Sequence, residues 1–528
     1  MTRSQRIAEP DGAPADTRSL QEFLDSVEPL EAEQRYELVE QAIALLEGIY
    51  VHLRLKRAMH GIDPVQRLRL LQRRIPGLSD AQFHVELAAV FRSLRDLHTV
   101  YHLPHPYRGH VATLGVMVER CHDEAGAPLH LVTKVDPAVA VAGLEPGAEV
   151  VAWNGIPIDR AVELNAERQA GSNAAARIAR GLEALTFRPL RTSPPPDEHW
   201  VILALAGGGE VRLPWRVAPT SSAAGRAQDP VSTISAVLGI DAGNEATRQI
   251  KRRLFAPGPA RAAGAQELAS LMYTDVLEAG GARYGYLRLF SFNVAGARAF
   301  LEMLAEELQA LPKDGLVVDI RANPGGHIPA AEGALQLLSE DDVEPARFSL
   351  STTALALDLC DSNPGFRPWA PSIRAAVETG EAYSQPLPLS DPAELADGLP
   401  RYPGPKVLIT DALCYSAADI FAAGFQDNGL GRVLGTASHT GAGGANVWTH
   451  DLLRLWLGDT LRPLPAGTSF RVALRRVTRI GARVGVPLED LGVEADRVHA
   501  VTRRDLTEGN PDLRAAALAL LLAPAEDL

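Results

Sequence analysis

Lysine is scarce in this chain and missing altogether after position 406: Lys56, Lys134, Lys251, Lys313 and Lys406 are all it has among 528 residues. Cysteine is scarcer still. Cys121, Cys360 and Cys414 stand far apart with no CxxC spacing, which excludes a thiolate zinc site and gives no disulfide framework. No apolar run reaches the length of a membrane helix, and the first residues, MTRSQRIAEPDGAPADTRSL, lack the apolar core of a signal peptide. The formal net charge of −13, with no clustered basic run, argues against nucleic acid or an anionic membrane as partner. A cytoplasmic protein is the expectation.

What is present is a long chain, 46% hydrophobic, with room for several domains. Apolar residues at three and four spacing predict helices in LQEFLDSVEPL, YELVEQAIALLEGIYVHLRLKRAM and DAQFHVELAAVFRSLRDL, the last capped by Ser79. They form an N-terminal tail and helical domain over 1–110, which ends in RDLHTVYHLPHPYRGH, residues 95–110. That stretch holds His98, His102, His105 and His110 out of 14 histidines. Intervals of four, three and five suggest a metal site, but Pro104 and Pro106 break the helix that would align the rings. No HExxH glutamate and no nearby cysteine complete a ligand set, so no metal or other cofactor is expected.

Residues 111–218 carry short strands with glycine punctuation. The run VAVAGLEPGAEVVAWNGIPIDRAVEL resembles a PDZ domain, and that resemblance makes Thr113, Leu114, Gly115 and Val116 a loop whose amides bind a peptide carboxylate. An Ala/Gly/Pro/Ser-rich linker follows over 219–265, with one short helix, NEATRQIKRRLF. Over 266–528 strands and helices alternate, which implies a largely parallel sheet covered by helices, with ligands bound beyond the carboxyl ends of its strands.

Two strand-to-helix junctions there carry chemistry. In LVVDIRANPGGHIPAAEG adjacent glycines can turn backbone N–H groups outward into a nest for an oxyanion. In KVLITDALCYSAADIFAAGFQD the serine at 416 opens a helix, where a hydroxyl lies in the positive end of the macrodipole beside the N–H of Ala417. Either motif alone has an ordinary reading, a helix cap or a tight turn. Together, behind a PDZ-like segment, they resemble the C-terminal processing peptidases and the core of tricorn protease. Closing that resemblance are FRSLRDLHT before the β-rich segment and PLEDLGVEADRVHAVTRRDLTEGNPDLRAAALALL at the end.

The resemblance implies a multidomain α/β serine peptidase, with its catalytic domain of Clp protease or crotonase shape. It makes Ser416 the nucleophile and Gly325, Gly326 and Ala417 the oxyanion hole. Better-known members use a lysine about two dozen residues after the serine; here that loop reads GTASHTGAGGANV and no lysine follows Ser416. Tricorn-like members use a histidine from the helical domain and a glutamate, at positions that match His98 and Glu489. His327 and His439 remain competitors for the base. The implied function is cleavage of peptides or protein C-termini, in a possible homo-oligomer. A non-catalytic binding protein on the same fold and a thioester or acyl hydrolase are the alternatives.

Overall fold

The computed structural model describes residues 17–139, 141–220, 248, 250, 251, 254 and 271–523. Most of the expected linker, including most of NEATRQIKRRLF, lies outside the described residues.

The helical expectation holds from Ala32 to Ser93, in the helices Ala32–Gly48, Leu53–His60, Pro64–Arg74 and Asp80–Ser93. Asp63 caps the third through the amide of Gln66, with Pro64 supplying a preset first turn. Ser79 and Gln82 make a reciprocal capping box at the fourth. The next strand, Val100–His102, pairs antiparallel with Ser469–Thr478, with His102 opposite Ser469. The histidine stretch is therefore part of a sheet with the far end of the chain.

The alternating region builds a six-stranded sheet. An antiparallel edge pair, Met272–Ala279 and Ala282–Leu289, is followed by Leu316–Asp319, Lys406–Thr410, Arg432–Gly435 and Arg497–Val498, all parallel to their neighbours. Side chains alternate faces along a strand, so each central strand feeds two cores. Val317, Val407, Ile409 and Leu434 point to the late helix Pro511–Leu522, against Leu513, Ala517 and Leu520. Leu316, Val318, Leu408 and Val433 join the larger core, which also holds the apolar faces of Ala297–Ala310, Ile328–Leu338 and Ala417–Asp427.

A second sheet sets Arg347–Leu350 and Ala445–Thr449 on either side of Ser469–Thr478. The sequence pattern missed it because no tight turn joins these strands: Arg347–Leu350 lies more than a hundred residues before Ser469, and the helix His450–Arg454 intervenes between the other two. The large apolar core draws residues from Leu20 to Val493, on both sides of position 110, while the expected border at 266 lies outside the described residues. Between them stands a β-rich module with the helices Ile158–Ala166 and Ala174–Thr186.

Candidate active site

The two junctions singled out in sequence meet at the carboxyl ends of adjacent parallel strands. After Leu316–Asp319 the chain turns through Asn323, Pro324, Gly325 and Gly326 into the helix Ile328–Leu338, with His327 at its N-cap. After Lys406–Thr410 it turns through Asp411 to Ser416 and into Ala417–Asp427. Asp411 Oδ1 accepts the amides of Leu413, Cys414 and Ala322 at 2.9–3.0 Å, and Tyr415 N donates to Asn323 O at 3.0 Å. The two loops are thus bound edge to edge.

Ser416 has φ 60° and ψ −123°, a conformation that a residue with a Cβ adopts only under constraint. It stands where an N-cap would, yet its side chain caps no amide. The capping reading weighed for this serine therefore fails. The Asp419 carboxylate, fully buried one turn later, accepts Gly443 N at 2.7 Å and Ala442 N at 3.2 Å instead, and burial pushes its carboxyl up to about 7. Gly325 explains the glycine pair: at φ +89° a Cβ there would lie 2.6 Å from Ser416 Cβ and 2.7 Å from Ala417 N.

The amides of the expected oxyanion hole are not equivalent. Gly325 N donates to Asn323 Oδ1 at 2.9 Å, so it is already engaged. Gly326 N and Ala417 N donate to no described residue. Asn323, which the sequence reading did not single out, is fully buried and fastened on its other side to Leu289 O at 3.0 Å.

His98 arrives from the first domain. Asp96, two residues earlier, accepts His98 N at 2.7 Å and Thr99 Oγ1 at 3.0 Å, and Thr99 Oγ1 in turn accepts Ala473 N at 3.1 Å. The His98 ring, 2% exposed, packs on the ring of Tyr415, the neighbour of Ser416, with centroids 4.5 Å apart. Ring nitrogen and carboxylate oxygens of Asp96, His98 and Glu489 all lie within 4.8 Å of one another.

Glu489 is fully buried and held from three parts of the chain. Lys56 Nζ donates to its Oε1 at 2.9 Å, Ser172 Oγ to the same oxygen at 2.7 Å, and Gly444 N to Oε2 at 3.3 Å. Lys56 also pairs with Asp490. Burial, reinforced by the Asp96 charge, pushes the Glu489 carboxyl up to about 8 while Lys56 opposes that rise. The surrounding carboxylates hold the buried Lys56 ammonium above its ordinary range despite desolvation. Among the described residues Asp96, His98 and Glu489 are the group whose spacing suits a metal ion. Their carboxylates, however, already accept protein donors, and Lys56 supplies the positive charge there.

The other histidines go elsewhere. His102 Nδ1 accepts from Arg191 Nη2 at 3.2 Å, and His110 Nδ1 lies 2.6 Å from Pro106 O. His327 is a helix-cap residue whose imidazole burial pushes down, and His439 contacts Ser438 Oγ at 3.1 Å. The expected carboxylate-binding loop requires correction. Thr113 is paired on both sides, to Arg216 and Phe187; Leu114 N donates to Thr186 O, Gly115 N to Thr113 Oγ1, and Val116 is laddered to Val135. No nest of open amides exists there, because the loop is buried inside its own module.

Sequence reasoning missed Lys56, Asp96, Ser172, Asn323 and Asp419. Only Asp96 had a local signal, its place in DLHT.

Residues 283–479 match the model of peptidase family S41. The fold is similar to mature CPAF, at TM-score 0.66 and 17% identity, over 93% of this chain and 97% of that one. The complex of mature CPAF with lactacystin gives 0.64 and 16%, over 93% and 98%. Tricorn protease matches at TM-score 0.40 and 15% identity, over 93% of this chain and 37% of that one. No curated protein matches the chain in sequence. Residues 283–479 form an S41 peptidase domain, and the chain is a serine peptidase.

Proposed function

We propose that Ser416 is the nucleophile of an endopeptidase, with His98 as its base and Glu489 orienting the imidazole. The observation that carries this reading is the state of Ser416: strained, unused as a cap, pressed on Gly325 and one residue from the ring against which His98 packs. His98 takes the hydroxyl proton as Ser416 Oγ attacks a peptide carbonyl, and returns it to the leaving amine. The amides of Gly326 and Ala417 receive the oxyanion, assisted by the N-terminal end of the helix Ala417–Asp427. Water then attacks the acyl-enzyme along the same proton route. Glu489, steadied by Lys56 and Ser172, fixes the ring and stabilises the imidazolium.

Asp96, which accepts the His98 amide and the Thr99 hydroxyl, orients the main chain that carries the base. Three buried, unpaired cysteines favour a reducing compartment, and no helix among the described residues is long and apolar enough to cross a membrane. The decisive experiment labels the protein with a fluorophosphonate and maps the adduct. A modified Ser416, with peptide cleavage lost in Ser416→Ala and His98→Ala, supports the reading; labelling elsewhere, or cleavage surviving in Ser416→Ala, refutes it.

A further inference from the structure

A cavity of about 550 Å³ opens beside the nucleophile, with Pro324, Leu413 and Tyr415 in its wall. Pro324 and Tyr415 are the chain neighbours of Gly325 and Ser416, so this space adjoins the place where a scissile bond would lie. Its opposite walls come from the helix Ala174–Thr186 and from the segment around Phe91 and Val100. Nine basic side chains line it against one carboxylate, Glu183, in a chain whose formal net charge is −13.

Part of that positive charge is compensated: Glu183 pairs with Lys251, Arg168 with Asp197, and two of the arginines share the buried Asp319. Arg92 and Arg180 form no ion pair among the described residues. The Arg180 guanidinium lies over the Tyr415 ring, 5.3 Å from its centroid, and its Nε is buried without a hydrogen-bond partner. Arg471 is fixed by the carbonyls of Leu97 and His98, at 2.8 and 3.3 Å, so one cationic wall is fastened to the segment that carries the base. Like charges gathered in a concave, partly desolvated space repel, and burial pushes the pKa of both Arg92 and Arg180 down. An entering anion relieves that repulsion, and field lines focused by the walls draw it in.

We infer that this cavity binds acidic side chains of the substrate, so that the peptidase selects peptides with aspartate or glutamate beside the scissile bond. The inference rests on the peptidase reading above and adds its specificity. A single chain-end carboxylate has the same chemistry, but nine cations spread over a cavity of this size suit several carboxylates on adjacent residues. The loop at 113–116, whose amides are already bonded, offers no competing carboxylate site.

The test uses three fluorogenic peptides of one length: acidic with an amidated end, its Asn/Gln counterpart with an amidated end, and that neutral counterpart with a free carboxylate. The expected result is a kcat/KM about tenfold or more higher for the acidic amide than for the neutral amide, the gap closing as salt is raised. Arg180→Gln and Arg92→Gln should each reduce that ratio several-fold, mainly through KM. Equal rates for acidic and neutral amides overturn the inference, as does a preference that follows only the free chain end.

If no peptide is cleaved and Ser416 resists labelling, the peptidase reading has failed; fluorescence anisotropy of the labelled acidic peptide on the same protein then decides the cavity's role. Binding that weakens with salt and with Arg180→Gln upholds carboxylate recognition. No binding, or displacement by a single-stranded oligonucleotide at lower concentration than by the unlabelled acidic peptide, overturns it.

Discussion

Replacing Lys56 by methionine separates the proposed orienting role of Glu489 from mere presence in the core. Methionine keeps most of the length and apolar stem of the lysine and removes the charge with its N–H donors. Lys56 Nζ sits 2.9 Å from Glu489 Oε1, with both side chains at 0% exposure. At an effective dielectric of about 20, charges so close attract by about 6 kcal/mol, most of which offsets the cost of burying them. Deleting one partner leaves the other buried and uncompensated, a loss of about 3–5 kcal/mol. The thermal midpoint should fall by roughly 3–5 °C.

The activity effect has a distinct sign. Burial already pushes the Glu489 carboxyl up to about 8, and Lys56 is the main force against that rise. Withdrawing about 3 kcal/mol from the ionised form raises it further, by about 2 pH units. The form proposed to orient His98 is the carboxylate, so the acid limb of kcat/KM moves to higher pH in Lys56→Met. On the acid side of both limbs the variant should lose about 10²-fold in kcat/KM and recover part of it as pH rises. Lys56→Arg should keep the limb near its wild-type position. A pH profile of Lys56→Met that superposes on the wild type, with unchanged thermal stability, would refute the assignment of Lys56 as the residue that positions Glu489.

Gly325→Ala would place a Cβ 2.6 Å from Ser416 Cβ at a φ of +89°, and should lower kcat by about 10²-fold or more while far-UV circular dichroism stays native; a kcat within threefold of wild type contradicts it. Asn323→Ala strips the buried partners of Gly325 N and Leu289 O, so chemical denaturation should show a loss of about 1–3 kcal/mol, and an unchanged midpoint would be the adverse result. Glu332, 1% exposed, is pushed by burial to about 7 from an ordinary 4.5, although Ser390 and Ala346 N donate to it. A carboxyl raised in the folded state contributes stability that is full below the unfolded value and is lost as pH climbs through the folded one. Between pH 4.5 and pH 8 the wild type should therefore lose about 3 kcal/mol from this group, and Glu332→Gln should flatten that slope in urea melts; equal slopes in both proteins count against it.

Legibility from sequence followed the distance over which each signal acts. Strands such as Leu316–Asp319 and Lys406–Thr410 were readable because parallel strands buried on both faces are short apolar runs, and their helices showed three-and-four spacing. The turns that carry Ser416 and the Gly325–Gly326 pair were readable because a serine at a strand-to-helix junction and a glycine that lets it approach are local features. The second sheet was not, since Ser469–Thr478 finds Val100–His102 and Arg347–Leu350 only through tertiary contact.

The same limit governs the site. The scarcity of lysine was read as excluding a Ser-Lys dyad, since no lysine follows Ser416. Yet Lys56, on a helix 433 positions before Glu489, supplies the buried charge on which that carboxylate depends. Sequence spacing has no access to such a contact. Nor does it show that Ser172, from the β-rich module, and Gly444, from the α/β part, reach the same carboxylate. Glu489 is thus where three stretches of chain are brought into register, and the proposed service of His98 to Ser416 requires that register. On that proposal, folding of these three stretches together and assembly of the catalytic group are one event.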